Sequence, residues 1–539
     1  MTTEFEQKVY IEKIKLINFK RFREFSFYPN KDKNIIIGDN ESGKSSIIEA
    51  IDYVLSGSVR KIESAGIERL MNVDAVKEFL ENIKVKNCFD VLPKMQIELY
   101  INGGELDPEF CGKNNTDHVN TTGIRLICEP DINFQIEIIE YINKTLLVSD
   151  DEDIISKFPF DFYKCEILTF GDHAYSSNRK GKINHLFINN SRVNSEYATK
   201  EFVKKIYERI TSDDESGRIN HKIVYRELRS QCNKYLTEVN GRLENGYQFG
   251  VNNAPSEFYD ELMIYKDGVA LANKGEGEKV FIKTQCALDT KKDSLDCILI
   301  EEPENHLSHI KLRQLINIIS GHSPCQTFIT THNSLICTGL SINNIVMLHR
   351  NNGENPITLK DLSKETARNF LKAPPASILE FVLSTKAILV EGPSEFMLIN
   401  RFYESICGHK PEDDGVHVIC VRGLSFLRYL EISKITKGKV AVITDNDGDF
   451  SENIYKKYYE YSKKDFIKIF TECDEKIYTF EVAMFNANNN FDNYNLRFGK
   501  TAEHAEHNKT DFALELLELK DSVNAPKYIE DAIKWINND

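Results

Sequence analysis

The sequence predicts an α/β chain of several domains, and three observations carry that prediction. A strand, a glycine loop and a helix follow one another over residues 35–55; an apolar strand at 297–300 runs into paired acids; and three strand-like runs between 386 and 444 are followed by acidic or glycine residues. The chain of 539 residues, 41% hydrophobic and 28% charged, is long enough for roughly three or four domains of about 150 residues each. The opening MTTEFEQKVY lacks a charged-then-apolar leader, and no apolar run nears the roughly 18 residues of a membrane helix, so the expectation is a cytoplasmic protein with no membrane partner. Twelve cysteines without a CxxC pair argue against a zinc ribbon or a disulfide scaffold and predict buried free thiols. The net charge of −15 gives no whole-surface attraction to nucleic acid, so such a partner needs a local basic groove or metal ions.

The N-terminal IEKIKLINFKRFREFSF reads as two strands around NFKRF, or as an edge hairpin with a basic turn. Next, NIIIGDNESGKSSIIEAIDYVL places strand Ile35–Ile37 before a loop matching GxxxxGK[ST] from Gly38 to Ser45, and a helix with Ile47, Ile48, Ile51, Val54 and Leu55 follows. Such a loop turns its backbone N–H groups toward phosphates. Asn40, Gly43, Lys44, Ser45 and Ser46 are therefore the candidate nucleotide contacts, with Lys44 as the charge on the β and γ phosphates and the Ser45 hydroxyl as a Mg²⁺ ligand.

Composition shifts twice. From Ser195 to Glu244 the chain is charged and free of proline, and Val203, Ile206, Tyr207 and Ile210 make an i, i+3, i+4, i+7 stripe. This predicts a helical insertion, residues 191–250, expected to mediate dimerisation. At LKAPPASILEFV, Pro374 and Pro375 interrupt regular structure. The expected domains are 1–190 and 251–375 as the two parts of one ATPase, and 380–539 as a second unit.

In DCILIEEPENHLS, the strand ends in Glu301, suited to hold Mg²⁺ through water, and Glu302, suited to orient or deprotonate an attacking water. The strand of QTFITTHNS leads into His332, placed to sense a γ-phosphate. Phosphate loop, helical insertion, paired acids and switch histidine in this order are similar to an ABC-type P-loop ATPase. Its signature turn has a candidate in ANKGEGEKVF, where Gly275 and Gly277 precede a helix but depart from the LSGGQ pattern; an ordinary surface turn is the other reading. Gln96 is the candidate glutamine-loop residue. A signature turn that acts on a partner's ATP implies at least a dimer.

The last third of the chain carries a second constellation. KAILVEGPSEFMLINRFYE places Glu391 at a strand end and Glu395 on the following first helical turn; VHVICVRG and KVAVITDNDGD then end in Gly423 and in Asp445 and Asp447. Clustered carboxylates at the carboxyl edge of an open sheet suit Mg²⁺ or Mn²⁺. DNDGD alone also reads as a solvated turn or a calcium loop. With LVEGPSE upstream, the set resembles a Toprim domain, a Rossmann-like fold.

An ABC ATPase followed by a C-terminal Toprim domain resembles the overcoming-lysogenisation-defect (OLD) family of ATP-dependent nucleases. The resemblance implies a homodimer or higher oligomer through the helical insertion, ATP and two divalent cations as cofactors, DNA as substrate, and a role in prokaryotic defence. Members of that family act alone or beside a partner such as a helicase-like protein or a reverse transcriptase complex, and the resemblance leaves both open. It carries over Glu481 in IYTFEVAMF as a late metal ligand and Lys509 in NKTDFALELLE as the lysine that stabilises transition-state charge. Glu391, Asp445 and Asp447 would be core ligands, with Glu395 and Glu481 supporting them. Residues 455–464, YKKYYEYSKK, and 176–182, SSNRKGK, could hold a phosphate backbone or be solvated faces. A DNA-bridging or repair ATPase without nuclease activity, and a Toprim topoisomerase or primase, remain the rival readings.

Overall fold

The computed structural model describes residues 9–82, 89–104, 106–146, 154–176, 183–189, 196–211, 214–240, 242, 248–249, 251, 257–289, 295–321, 325–348, 355–372, 376–422, 425–492, 494, 496–519 and 523–538. The prolines at 374 and 375, Gly423 and residues 177–182 of the second basic stretch lie outside them. The chain forms two compact units, Met1–His332 with Leu348–Pro356, and Asn333–Met347 with Ile357–Asp539.

Among its described residues the first unit contains two large sheets and a small hairpin of Tyr265–Lys266 with Val269–Ala270. Tyr10–Phe19 and Phe22–Phe27 form a hairpin with Phe19 opposite Phe22, and Met95–Asn102, Thr121–Pro130 and Tyr163–Thr169 extend it in antiparallel order. The last two strands place Cys128 directly opposite Cys165, 4.2 Å apart at Cα, and a disulfide joins them. This corrects the expectation of free thiols throughout: cross-strand register brings together cysteines that are 37 residues apart in sequence. In the second large sheet Lys33–Gly38, Gln326–Thr330, Cys297–Glu301 and His185–Asn189 run parallel in that order. Its three strands Lys33–Gly38, Cys297–Glu301 and Gln326–Thr330 are buried along nearly their whole length, as continuous apolar runs in a covered parallel sheet should be.

Helices Glu196–Ile210, Glu215–Tyr235 and Thr237–Asn240 lie in the predicted insertion. Val203 and Ile206, expected at a dimer interface, are each only 5% exposed within this chain. Their helix packs on Glu257–Glu261 and Glu276–Asp289, and the Tyr207 ring meets Phe258 and Tyr259. The stripe is thus intrachain core, and only Ile210 of the predicted set is exposed.

In the second unit, four parallel strands run in the order Val416–Cys420, Lys386–Val390, Lys439–Ile443, Ile467–Phe470. Strand order reverses between Lys386–Val390 and Lys439–Ile443, which makes their carboxyl ends the crevice where ligands bind in open α/β sheets. Helix Pro393–Cys407 starts with proline at its first turn and Glu395 beside it, both favourable there. Helices Phe480–Ala487, Lys509–Glu518 and Lys527–Asn537 complete a core around Val390, Phe402, Ile443, Phe480, Phe512 and Ile533. No described helix is long and apolar enough to cross a membrane.

Candidate functional sites

In the first unit, the parallel order sets the Gly38–Ser45 loop, Glu301 and Glu302, and His332 on neighbouring strand ends. Gly43 has φ +96°, and a Cβ there would come within 2.5 Å of the Phe22 ring, so the loop requires glycine at that point. Lys44 opens helix Lys44–Ser56, and its ammonium donates to the carbonyls of Gly38 at 3.0 Å and Asp39 at 2.8 Å. Burial lowers the Lys44 pKa, and Glu302, Asp39 and Glu304 oppose that shift. Ser45 and Ser46 follow on the first turn, while Asn40 is exposed on the loop.

Glu301 is the buried last residue of its strand. Glu302 leaves the strand with φ +43°, accepts from Asn305 Nδ2 at 2.9 Å and faces His332 Nε2 at 3.6 Å. Burial and Lys44 hold His332 below its ordinary pKa, against Glu302 and Asp39. Sequence reading missed Glu304. Its Oε1 accepts from the Thr331 hydroxyl and the His332 N–H, both at 2.7 Å, while its Oε2 is buried without a hydrogen-bond partner. Burial raises its pKa. The signal was present in the acid three residues after Glu301. Lys44, Glu302, Glu304 and His332 thus form one electrostatically coupled group.

Gly275 and Gly277 are not part of that group. They line a separate cavity of about 460 Å³ with Glu276, His306, Ser308 and Lys311. A Cβ on Gly277 would lie 2.1 Å from the His306 carbonyl, so the turn packs backbone to backbone on the segment after the paired acids, and Glu276 meets His306 at 3.1 Å. Gln96 sits within strand Met95–Asn102 with its Oε1 buried and unpartnered.

In the second unit, Glu391 follows strand Lys386–Val390 and accepts from the Thr444 hydroxyl at 3.4 Å. Asp445 follows strand Lys439–Ile443, and burial together with Glu395, Glu391 and Glu481 pushes its pKa up to about 8. Burial, Glu481 and Glu391 push Glu395 up to about 7. Glu481, 1% exposed in the first turn of its helix, is raised chiefly by burial, and Lys509 opposes the shift from 3.3 Å. That contact is an ion pair without hydrogen-bond geometry, which leaves Glu481 Oε2 buried and unpaired by hydrogen bonds. Four carboxylates and one ammonium from five separate elements are therefore coupled.

Asp447 is exposed in a left-handed conformation, φ +51°, with its N–H on the Tyr478 carbonyl at 3.2 Å. Its charge acts with that of Glu391 on buried Tyr458. Between the two aspartates, buried Asn446 points the other way: its Nδ2 donates to the carbonyls of Glu472 at 2.8 Å and Asp474 at 3.1 Å, and its Oδ1 accepts from Gly448 N–H at 2.9 Å. Asn446, Thr444 and Tyr458 were not singled out from sequence. Their roles depend on through-space contacts.

The donor set suits a hard divalent cation. It is all oxygen, it is held at strand and helix ends, and its mutual repulsion is what an added positive charge relieves. Among the described residues, however, no three such side chains already stand at ligand geometry. The fit is one of chemistry and placement.

Residues 10–337 match the family described as AAA ATPase domain, and residues 382–447 match the overcoming lysogenization defect protein-like TOPRIM domain. The DNA replication and repair protein RecF of Clostridium kluyveri is 30% identical over 95 residues, 18% of this chain and 25% of that protein. RecF of Francisella tularensis subsp. novicida is 27% identical over 206 residues, 32% of this chain and 58% of that protein. The chain thus spans less than two thirds of the length of these relatives. Among solved structures, the SMC head bound to the C-winged helix domain of ScpA aligns with 66% of this chain and 100% of its own, at 15% identity and a TM-score of 0.37.

Proposed function

Because the chain belongs to the OLD family, with an AAA ATPase domain followed by an OLD-like TOPRIM domain, we propose that it is an ATP-hydrolysing, divalent-cation-dependent DNA endonuclease of prokaryotic defence. The observation that carries this reading is the coupled set Glu391, Glu395, Asp445 and Glu481 with Lys509 at the TOPRIM strand edge. A DNA-bridging or repair ATPase has no use for buried carboxylates that repel one another at such an edge.

In the ATPase unit, Lys44 and the Gly38–Ser46 loop would bind the β and γ phosphates, Ser45 directly and Glu301 through water would hold Mg²⁺, and Glu302 would orient the attacking water, with His332 and Glu304 beside it. In the TOPRIM unit, Glu391, Asp445 and Asp447, supported by Glu395 and Glu481, would hold Mg²⁺ or Mn²⁺. Such ions supply a water nucleophile and charge stabilisation for phosphodiester hydrolysis. The chain's own part is to set Lys509 against the mutual repulsion of Glu395, Asp445 and Glu481, and to orient Glu391 through the Thr444 hydroxyl. Residues 1–190 and 251–375 then form the ATPase, 191–250 the insertion and 380–539 the nuclease. The protein works in the cytoplasm as a homodimer or higher homo-oligomer, alone or beside a defence partner such as a helicase-like protein or a reverse transcriptase complex.

The test is incubation of purified protein with supercoiled plasmid and Mg²⁺ or Mn²⁺. Nicked or linear product is expected. Relaxed closed circles, or no change with either ion with and without ATP, would reject the nuclease.

A further inference from the structure

Segment 450–468 follows the aspartate turn, and the proposed reaction leaves its lysines and tyrosines without a task. Several of its charges neutralise one another: Lys456 pairs with Glu452, and Lys463 with Glu460 at 3.4 Å. This suits a duplex backbone poorly, since such contacts depend on uncompensated cations. The aromatic side chains are placed differently. Tyr455 and Tyr459, 63% and 45% exposed, present neighbouring rings with centroids 5.8 Å apart, and Lys463 Nζ lies 3.9 Å from the Tyr459 ring centroid.

Beside them lies a cavity of about 420 Å³ whose lining includes Phe450, Tyr455, Tyr458, Lys464, Lys468 and Trp535, within the size range of small-ligand sites. Tyr458 links this cavity to the carboxylates. Its side chain lines the cavity, while its buried hydroxyl lies beside Thr444 and in the field of Glu391 and Asp447.

We propose that this cavity and the Tyr455–Tyr459 pair form a subsite for an unpaired nucleotide of the DNA substrate. The preferred substrate class is then DNA with a single-stranded stretch next to the scissile phosphate. Exposed aromatic faces bind a base only when it is out of the duplex stack, and they do so with any base. Lys464 and Lys468 supply charge for the adjoining phosphate. The inference rests on the nuclease reading for its substrate but not for its binding.

Trp535, the single tryptophan of the chain, reports on the cavity directly. The full chain in EDTA, which prevents cleavage, is titrated with an oligothymidylate of about 12 nucleotides, a blunt duplex of equal length, and thymidine monophosphate. Saturable quenching of Trp535 by the oligothymidylate is expected, with the duplex and the mononucleotide at least about tenfold weaker. Tyr455→Ala and Tyr459→Ala should each weaken oligothymidylate binding about fivefold or more, and Tyr455→Phe and Tyr459→Phe should restore it. Absence of quenching, equal binding of duplex, parent affinity in both alanine variants, or a mononucleotide bound as tightly as the oligomer would overturn the subsite. Cleavage of plasmid with Mn²⁺, scored on the same preparations, separates the two readings. Cutting without this binding rejects the subsite alone, and binding without cutting rejects the nuclease alone.

Discussion

Lys509 Nζ stands 3.3 Å from Glu481 Oε2, and each residue occupies the first turn of its own helix. The same ammonium lowers the pKa of Glu395, Asp445 and Glu481, and against the effect of burial those acids together raise its own. Lys509→Met should therefore separate two effects. Removing a cation from an acidic cluster strengthens Mn²⁺ binding, while loss of transition-state stabilisation lowers cleavage about 100-fold or more. Calorimetric titration and a cleavage assay read the two; a fall in both would reduce Lys509 to a structural ion pair.

Stability should depend on pH in a direction set by Asp445 and Glu395. Their folded values, about 8 and about 7, lie above those of unfolded carboxyls, so between about pH 4 and 8 the folded chain binds more protons than the unfolded one. Without metal, the C-terminal unit is then most stable at the acidic end of that window and loses stability as pH rises through 7 and 8. Asp445→Asn should flatten this decline and raise the melting midpoint at pH 8 by about 2–4 °C. Added Mn²⁺ should flatten it in the parent. Thermal melts across pH in EDTA and in Mn²⁺ provide the measurement, and a parent whose midpoint rises with pH in EDTA would contradict the coupling.

For the ATPase unit, Lys44→Ala should lower ATP hydrolysis at least about 100-fold, because the phosphate charge loses its nearest ammonium. Glu302→Gln should bind ATP and retain it unhydrolysed. Gly277→Ala, whose Cβ would meet the His306 carbonyl at 2.1 Å, should distort the Gly275–Gly277 turn, and if this turn is the ATPase signature it should slow hydrolysis while nucleotide binding persists. Filter binding and phosphate release distinguish these three defects; parent-rate hydrolysis by Lys44→Ala would refute the loop assignment.

Among the three aspartates, Asp445→Ala and Asp447→Ala should each reduce metal-dependent cleavage by orders of magnitude. Asp449→Ala should matter far less for cleavage. The Asp449 Oδ1 accepts from the Glu452 N–H at 3.0 Å, so its loss costs about 1 kcal/mol of local capping. Full cleavage by both of the first two variants would remove them from the site.

Oligomerisation should respond to helix Glu215–Tyr235, where Ile219, Ile223, Val224 and Leu228 are 42–56% exposed. Ile223→Glu with Leu228→Glu should yield monomers in light scattering. Ile206→Ala, at a buried position, should instead destabilise the fold by about 2–5 kcal/mol. An unchanged oligomer in the double variant would move the interface elsewhere.

What the sequence determined by itself is whatever depends on short spacings. The Gly38–Ser45 loop between a strand and a helix, Glu301 and Glu302 at the end of Cys297–Glu301, and the continuous apolar runs that precede Glu391 and Asp445 are all local, because a short apolar run bounded by polar and glycine residues marks a buried strand and its end. Only the tertiary structure decided what depends on distance through space. It buried Val203 and Ile206 inside the chain, since an amphipathic stripe says that a helix packs but not against what. It paired Cys128 with Cys165 through cross-strand register. It brought Glu304 under His332, and the Tyr458 hydroxyl into the field of Glu391 and Asp447. It also pushed Asp445 up to about 8, because burial and the repulsion of three other carboxylates exist only once separate elements meet at one sheet edge.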